Sequence, residues 1–265
     1  MKQINQFINE YIIKKKLDKP INSENNYKYF PETKQELIKN IQELLNKNIH
    51  NFNCIDTSAI TDMSKLFCNE GFEKINFNVS EWDVSNVENM SRMFIDCEKF
   101  DCDLYDWNTS KVKYADDMFF NCKNFTGEGL ENWNVSNVIN MSSMFYRCEK
   151  FDYDLSNWDV SNIMYMDSMF EYCYEFTGKG LENWNVSNVI VFEEMFFECK
   201  NFNSDLSNWN VSKSDNLMNM FNGCEKFEGK GLENWNVKDG TKIYNMFDGC
   251  NLMKKQPDWY IKLNK

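Results

Sequence analysis

Side chains suited to catalysis are scarce in this chain, and their spacing matches no familiar active site. His50 is the single histidine among 265 residues. A Ser or Cys nucleophile needs a basic partner, and zinc sites need closely spaced Cys or His pairs. Neither Cys-x-x-Cys nor His-x-x-x-His occurs in the sequence. We therefore predict no enzyme, no cofactor and no metal site, and we keep a carboxylate-based enzyme only as the third alternative.

Acidic residues could support a second kind of chemistry, calcium binding, through the local group Asp101, Asp103 and Asp106. Calcium takes about six to eight oxygen ligands at about 2.3 to 2.6 Å. Asp154 and Asp205, the equivalents of Asp103, recur only in every second repeat. They would lie too far from Asp103 to share one ion, so the metal prediction stays negative.

Paired glycines, of which Gly127 and Gly129 are the first, resemble part of a phosphate-binding loop. Such loops follow a strand and continue into Lys-Ser/Thr, whereas these glycines precede a predicted strand and lack that pair. Glycine adopts positive φ at little cost. We therefore predict a turn at this position and at its two equivalents, Gly178 with Gly180 and Gly229 with Gly231.

Most cysteines recur in step with the repeats, which predicts a ladder of buried thiols rather than a disulfide framework. Neighbouring helical segments would pack about 8 to 10 Å apart, beyond the roughly 7 Å limit for bridging Cα atoms. Unpaired thiols favour a reducing, cytoplasmic compartment. Cys54, Cys68 and Cys102 lie off the ladder, and a bridge among them stays open. The ladder comprises Cys97, Cys122, Cys148, Cys173, Cys199, Cys224 and Cys250.

Tryptophan marks a repeat of 25 or 26 residues, with a last spacing of 24, that fills most of the chain. A period of this size is typical of stacked repeats, because one unit cannot bury its own apolar face and needs neighbours. The spacing falls in the range of leucine-rich repeats. The marker residues are Trp82, Trp107, Trp133, Trp158, Trp184, Trp209, Trp235 and Trp259.

Two apolar periodicities within each unit predict a strand followed by a helix. In the unit from Leu155 to Phe176, the pattern Leu-x-x-Trp-x-Val suits a short strand. The following apolar residues are spaced three and four apart, as on one face of a helix. A serine stands where each helix would need an N-cap. These apolar residues are Ile163, Met166, Met169, Phe170, Cys173 and Phe176, and the serines are Ser85, Ser136, Ser161, Ser187 and Ser212.

The predicted fold is therefore an α/β repeat solenoid with a parallel sheet on its concave side and short helices on its convex side. Residues 1–50 form a helical N-terminal region and cap, with helices over 3–17 and over 32–48. Residues 51–259 form about eight repeats, and residues 260–265 form a tail. Trp259 and Tyr260 are expected to fold onto the last coil.

Charge distinguishes the N-terminal region from the repeats and limits the possible partners. The formal net charge is −12, with nine Lys against six acids in residues 1–50 and sixteen basic against thirty-four acidic residues in 51–250. Such a field repels nucleic acid and anionic lipid and favours a basic protein partner. We expect no secretory signal and no transmembrane segment, because the longest purely apolar run near residue 1 is Tyr11-Ile12-Ile13. The oligomeric state is not predicted.

The best candidate for a binding surface is a polar column that would point outward from the concave sheet. We interpret it as the partner-binding site, although amides stacked at strand spacing could also bond only to one another. A stripe on the predicted helices, formed by Ile95, Phe120, Tyr146 and Phe197, is a second candidate, with partial burial between coils as the alternative. The column consists of Asp83, Asn108, Asn134, Asp159, Asn185, Asn210 and Asn236.

Three recurring runs resemble the BspA-type leucine-rich-repeat surface proteins, including their Mycoplasma-lipoprotein branch. The runs are the one that starts Trp82-Asp-Val-Ser-Asn-Val, the one from Met144 to Cys148, and the one from Gly180 to Trp184. The resemblance covers residues from about 55 to 259. It implies a right-handed solenoid that binds partners at a cell surface, and it brings no catalytic residue.

Together these observations predict a non-catalytic protein-interaction or scaffolding module that binds a partner through its polar concave face. A surface adhesin of a cell or virus-like particle is the alternative. The expected lack of a signal and the unpaired cysteines predict a cytoplasmic location. The resemblance predicts the cell surface instead.

Overall fold

A computed structural model describes residues 27–68 and 71–264, which form a stack of similar coils. The helix predicted over residues 3–17 lies outside these described residues. Equivalent residues of successive coils are joined by parallel bridges of one residue pair each. Among the described residues, these bridges never extend into a strand or a sheet. The longest series runs through Asp62, Asn89, Tyr114, Asn140, Tyr165, Val191, Asn216 and Lys242.

The predicted α/β repeat, with a parallel sheet inside and helices outside, is therefore wrong. The Leu-x-x-Trp-x-Val segment does not run extended, because the chain turns at almost every third residue. The Trp158 amide donates to the Leu155 carbonyl at 3.1 Å, and the Ile163 amide donates to the Val160 carbonyl at 3.0 Å. A chain that closes such turns cannot line up with its neighbour over several residues, so only isolated bridges remain.

The outer segment is not helical either, because its backbone passes twice through the left-handed region. Ser168 has φ of 52° and Tyr172 has φ of 59°, and one such residue interrupts an α-helix. The same two positions are left-handed in the preceding coil, at Ser143 and Arg147. The serines predicted as N-caps consequently have no helix to cap.

Consecutive turns explain why the apolar pattern imitated a helix. The Cys173 amide donates to Phe170 at 3.0 Å, and the Phe176 amide donates to Cys173 at 3.2 Å. Each three-residue step returns a side chain to the interior, where Met166, Met169 and Phe170 are fully buried. A spacing of three is shared by a helix and by a series of turns, so the sequence pattern did not separate them.

Regular helices occur only near the ends of the described chain. Helix α1, Lys34–Asn46, begins with a capping box between Thr33 and Glu36 and buries Leu37, Ile41 and Leu44. Its buried face packs into the core that continues through the coils. Helix α2 spans Asp258–Leu263. Three short 3₁₀ helices span Phe72–Lys74, Leu130–Asn132 and Leu232–Asn234.

The C-terminal residues continue the indole stack of the coils. The indole nitrogen of Trp259 donates to the Leu232 carbonyl at 2.7 Å, and the ring lies 6.3 Å from that of Trp235. Tyr260 is buried beside Phe247, with ring centroids 4.8 Å apart. Trp259 and Tyr260 therefore cover the last coil, as the sequence suggested.

Aromatic rings form a continuous column through the core. Neighbouring rings in this column are nearly parallel, with centroids 5.4 to 5.9 Å apart. Because each ring buries its faces against the next coil, the apolar area of one coil is covered only when its neighbours are present. The column contains Phe67, Phe94, Phe119, Phe145, Phe170, Phe196, Phe221 and Phe247.

Candidate interaction surface

Each coil has two halves that contact the next coil through different groups. We call residues 155–163 and their equivalents the turn half, and residues 164–173 and their equivalents the bridge half. In the turn half, side chains connect the coils. The Trp158 indole donates to Leu130 at 2.9 Å, and the Asn162 amide donates to Ser136 at 2.7 Å. These side chains therefore contribute to stacking.

The predicted binding column lies in the turn half, and we call it the turn column. All seven of its residues are exposed. In six of them the side-chain oxygen accepts a hydrogen bond from the backbone amide two residues later, at 2.9 to 3.2 Å. Asn236, the seventh, lies two residues before Lys238, where the other six coils have serine. The column thus consists largely of Asx turns.

Asp159 illustrates what this arrangement does to a side chain of the turn column. The hydroxyl and the amide of Ser161 both donate to its carboxylate and lower its pKa. Because one carboxylate oxygen is held by the turn, the side chain has fewer acceptor positions for a partner. The structure thus gives the turn column a local structural role. Its predicted role in partner binding remains a prediction.

In the bridge half the backbone itself connects the coils. Alternate amides donate to the following coil: Met166 to Val191 at 3.2 Å, and Ser168 to Glu193 at 2.8 Å. The Phe170 amide continues the same pattern and donates to the Met195 carbonyl at 3.0 Å. Outward side chains are not needed for these bonds. They are consequently available for contacts with other molecules, except where they bond across coils, as Ser142 does to Asp167 at 2.7 Å.

An apolar patch occupies the outward positions of the bridge half in the middle of the stack. Its exposed members are Tyr114 at 46%, Ile139 and Met164 at 38% each and Tyr165 at 37%. The Met164 amide donates to Ile139 at 3.0 Å, so these residues are neighbours. Contiguous exposed apolar surface marks interaction sites more often than scattered residues do. We define the bridge patch as Tyr114, Ile139, Met164, Tyr165, Ile190 and Val191.

Acidic side chains border the bridge patch on one side. Asp116, Asp167 and Glu193 occupy equivalent positions, two residues after the bridge column. Their hydrogen-bond partners are hydroxyl or amide groups rather than cations: Ser91 donates to Asp116 at 2.6 Å, and Asn216 donates to Glu193 at 2.7 Å. An apolar patch with an acidic border is complementary to a partner that has apolar and basic side chains.

The aromatic stripe predicted from the sequence is half-buried at all four of its positions. Phe120 and Tyr146 stack with centroids 4.3 Å apart. Tyr172, in the next coil, did not belong to the predicted stripe. Its ring lies 5.7 Å from that of Tyr146, and the Arg147 guanidinium covers it at 5.0 Å. Mutual stacking between coils therefore uses much of this surface, and it is a weaker candidate than the bridge patch.

All ten cysteines are free thiols, including the three that lie off the ladder. Each ladder thiol donates to a phenylalanine carbonyl of the preceding coil, as Cys122 does to Phe94 at 3.1 Å. Burial raises the pKa of these thiols, to about 12 at Cys250. A thiol with so high a pKa stays protonated near neutral pH and is a poor nucleophile.

A groove of about 490 Å³ brings His50 close to Asp101, Cys102 and Asp103. Burial raises the pKa of Cys102 to about 11, which disfavours its thiolate. Asp101 accepts a hydrogen bond from the Thr126 hydroxyl at 2.9 Å. Within residues 27–68 and 71–264, no group of three or more His, Cys, Asp or Glu side chains could hold a metal ion. The sequence did not indicate this groove, because its residues come from three separate coils.

One buried carboxyl has an unusual pKa. Glu171 is 8% exposed, and burial raises its pKa to about 7, with the negative charge of Glu194 acting in the same direction. Ser168 and Arg147 oppose the shift. Glu171 lies in the bridge half and does not line the groove around His50. The two features therefore do not form one carboxylate site.

Fold and surface together define a class: a stacked-repeat protein with coils joined by backbone bonds on one side and by side chains on the other. The chain belongs to the family described as Mycoplasma protein of unknown function, DUF285, whose model matches residues 33–158, 116–180 and 147–260. This match does not confirm the resemblance to BspA-type leucine-rich repeats. No curated protein and no solved structure matches the chain. Among the described helices, none has the length and apolar content to cross a membrane.

Proposed function

We propose that this protein is a non-catalytic binding module and that a protein partner contacts the bridge patch. The observation that carries the proposal is the exposure of neighbouring apolar side chains at Tyr114, Ile139, Met164 and Tyr165. Neighbouring coils are already joined there by backbone bonds. Exposed apolar area of this kind gains free energy when a partner covers it, at about 25 cal/mol per Å².

Variation among the repeats supports the same surface. Turn-column positions carry only Asp or Asn, since the Asx turn requires them. The equivalents of Met164 in the bridge half are instead chemically diverse. The turn therefore constrains the first set, while the second set is free to match a partner. The diverse set is Glu88, Lys113, Ile139, Met164, Ile190 and Asp215.

The charge of the repeats indicates the partner's chemistry. Residues 51–250 carry sixteen basic and thirty-four acidic side chains, and Asp116, Asp167 and Glu193 border the patch. We infer a partner with a basic rim around an apolar centre, because complementary charges speed encounter and discriminate against acidic competitors. Adhesion at a cell surface stays a prediction from the resemblance alone.

Comparative capture from the native cells tests the proposal. A Met164→Glu, Tyr165→Glu variant alters the bridge patch. A Tyr244→Glu, Leu252→Glu variant is the matched control, since those residues are apolar and 64% and 51% exposed but lie outside the patch. We expect the control to retain the partner and the patch variant to lose about 90% of it or more, as hot-spot residues do.

A third variant, Asp159→Lys with Asn185→Lys, tests the turn column separately. All variants are compared at temperatures where circular dichroism shows them folded. If the patch variant keeps the partner, or if only the turn-column variant loses it, the bridge patch is not the binding site.

A further inference from the structure

We propose that the groove beside His50 binds a neutral ligand of the sugar class, recognised through several neighbouring hydroxyl groups. The groove shares no residue with the bridge patch, so this inference goes beyond the proposed function. Its volume of about 490 Å³ falls within the range of about 300 to 1,000 Å³ that is typical of small-molecule sites. Most of its lining side chains are polar.

Two asparagines of the groove turn their side-chain oxygens toward the protein. The Asn76 oxygen accepts from the backbone amide of Asp101 at 3.2 Å. The Asn78 oxygen accepts from the backbone amide of Ser80 at 2.9 Å and from the Cys102 thiol at 3.6 Å. Both asparagines are exposed, and within residues 27–68 and 71–264 their NH₂ groups donate no hydrogen bond. These groups are therefore donors that a ligand can use.

A hydrogen-bond acceptor lies in the same groove. The backbone amide and the hydroxyl of Thr126 both donate to Oδ1 of Asp101, at 3.2 and 2.9 Å, which leaves Oδ2 for a ligand. A hydroxyl group both accepts and donates hydrogen bonds. One ligand hydroxyl can thus accept from an asparagine NH₂ group and donate to a carboxylate. A ligand with several adjacent hydroxyls makes the best use of this lining.

The charges of the groove disfavour ionic ligands. Asp101 and Asp103 lie in the lining, and the repeats around them are acidic, so phosphate and other anions are repelled. A metal ion is disfavoured too, because the described residues contain no group of His, Cys, Asp or Glu side chains that could hold it. A neutral ligand avoids the repulsion and needs no such group.

A small side chain keeps the groove open. Cys102 has its counterpart two coils later in Tyr153, within the same Phe-Asp-x-Asp-Leu run. Burial, and next the Glu131 carboxylate, raise the pKa of Tyr153, so this tyrosine reaches the preceding coil at Glu131. The counterpart of Glu131 is Ser80, which lines the groove. A tyrosine at position 102 would therefore reach across the groove to Ser80.

Cys102→Tyr tests the inference, because it copies an arrangement that the chain already contains at Tyr153. The methyl glycosides of glucose, galactose and mannose are titrated against the full chain, and binding is followed by saturation-transfer NMR. We expect at least one to bind with a dissociation constant on the order of 1 mM, as for a ligand of about a dozen non-hydrogen atoms. The affinity should fall about tenfold or more in Cys102→Tyr. Cys102→Ser, which copies Ser204 of a later coil, should keep it.

A second variant removes the donors without filling the groove. Asn76→Asp with Asn78→Asp keeps the oxygens that close the turns and replaces each NH₂ group by an oxygen. It should also lose about tenfold or more in affinity. Asn134→Asp with Asn185→Asp makes the same change in the turn column, outside the groove, and should bind as the unmodified chain does. Urea denaturation checks that each variant is folded.

Three results would overturn the inference. The first is that no glycoside binds the unmodified chain. The second is that both groove variants are folded and bind the glycoside with unchanged affinity. The third is that inorganic phosphate or calcium binds the groove and no glycoside displaces it. Partner capture by the bridge patch is measured separately, so either proposal can fail alone.

Discussion

The turn half and the bridge half of each coil contact the neighbouring coils through different groups. In the turn half, Trp158 and Asn162 donate from their side chains to the preceding coil. In the bridge half, the Met166 and Ser168 amides donate to the following coil. Where side chains make the contact, the tryptophan recurs in each repeat from Trp82 to Trp235, whereas the Asn162 position carries lysine at Lys111 and Lys213. Where the backbone makes it, the outward side chain is free to serve another purpose.

This difference teaches that exposure alone is a poor guide to a binding surface. Asp159 and Met164 are both exposed, yet an oxygen of the first is held by a turn hydrogen bond to the Ser161 amide at 3.1 Å. The Met164 side chain makes no such bond, since the backbone amide of Met164 makes the bond to the neighbouring coil. We therefore expect that free side chains in the bridge half can change without loss of the fold.

The largest expected effect is at Gly180, which directly precedes the turn half of its own coil and lies against Leu155 and Ser156 in the turn half of the preceding coil. Gly180 has φ of +90°, and a Cβ there would lie 2.7 Å from the Asp154 carboxylate and against the Ser156 amide. Gly180→Ala should lower the free energy of unfolding by about 3 kcal/mol or more, because it adds a clash to the cost of left-handed backbone. Urea denaturation measures the loss.

Gly240→Ala is the matched control for this substitution. Gly240 has φ of +85° but no atom within 4 Å of the added Cβ. The free energy of unfolding of the Gly240→Ala variant should fall by only about 1 to 2 kcal/mol, which is the cost of a left-handed backbone at alanine. Equal losses at the two glycines would show that close approach between coils contributes nothing.

The second effect concerns pH and belongs to the bridge half. The pKa of Glu171 is raised from 4.5 to about 7, so the folded state holds this proton more tightly than the unfolded state. Its contribution to stability is therefore present at low pH and declines as pH rises from about 4.5 through 7, by about 3 kcal/mol at most. Denaturant unfolding at pH 5 and pH 8 measures it.

Glu171→Gln isolates that contribution, since glutamine does not titrate. As pH rises, the free energy of unfolding of the Glu171→Gln variant should increase relative to that of the unmodified protein. If the two profiles stay parallel, Glu171 does not titrate in this window.

A smaller effect compares neighbouring exposed residues from the two halves. Asn162→Ala removes the side-chain bond to the Ser136 carbonyl and should destabilise the chain by about 1 kcal/mol. Met164→Gln, two residues later, should change stability by less than about 0.5 kcal/mol. Thermal unfolding of both variants checks the pair. A larger loss for Met164→Gln than for Asn162→Ala would contradict the division into halves.

The smallest effect is expected for an exposed ion pair across coils. The Lys113 ammonium lies 2.8 Å from the Glu88 carboxylate, and both side chains are about half exposed. Lys113→Gln should leave the unfolding midpoint unchanged, because such pairs are screened and lose side-chain entropy. A clear fall in the midpoint would mean that this exposed pair contributes to stacking in the bridge half.

Several features of the chain followed from local pattern. The tryptophan and cysteine periods predicted that equivalent residues of successive repeats would be neighbours. The structure places Trp184, Trp209 and Trp235 in one stack, with centroids 6.4 to 6.5 Å apart. It also keeps all ten cysteines unpaired. These features depend on which side chains are apolar and how often they recur, and both are written in the sequence.

The candidate site was only partly predictable. Asp159 and its equivalents stood out because they repeat, but repetition reflected the Asx turn. Ile139, Met164 and Tyr165 carried no repeating signal, and their neighbourhood depends on bonds between residues about 25 positions apart. A patch assembled from different coils has no local motif, so only the stacked arrangement shows it.

The sequence by itself determined the repeat period, the buried residue types and the acidic character of the repeats. Only the tertiary structure decided the backbone path, because a spacing of three apolar residues suits a helix and a series of turns equally well. Left-handed conformations at Ser168 and Tyr172 are unfavourable for an isolated segment. They persist because the amides of both residues donate to the next coil at 2.8 Å, and those acceptors exist only when the coils are stacked.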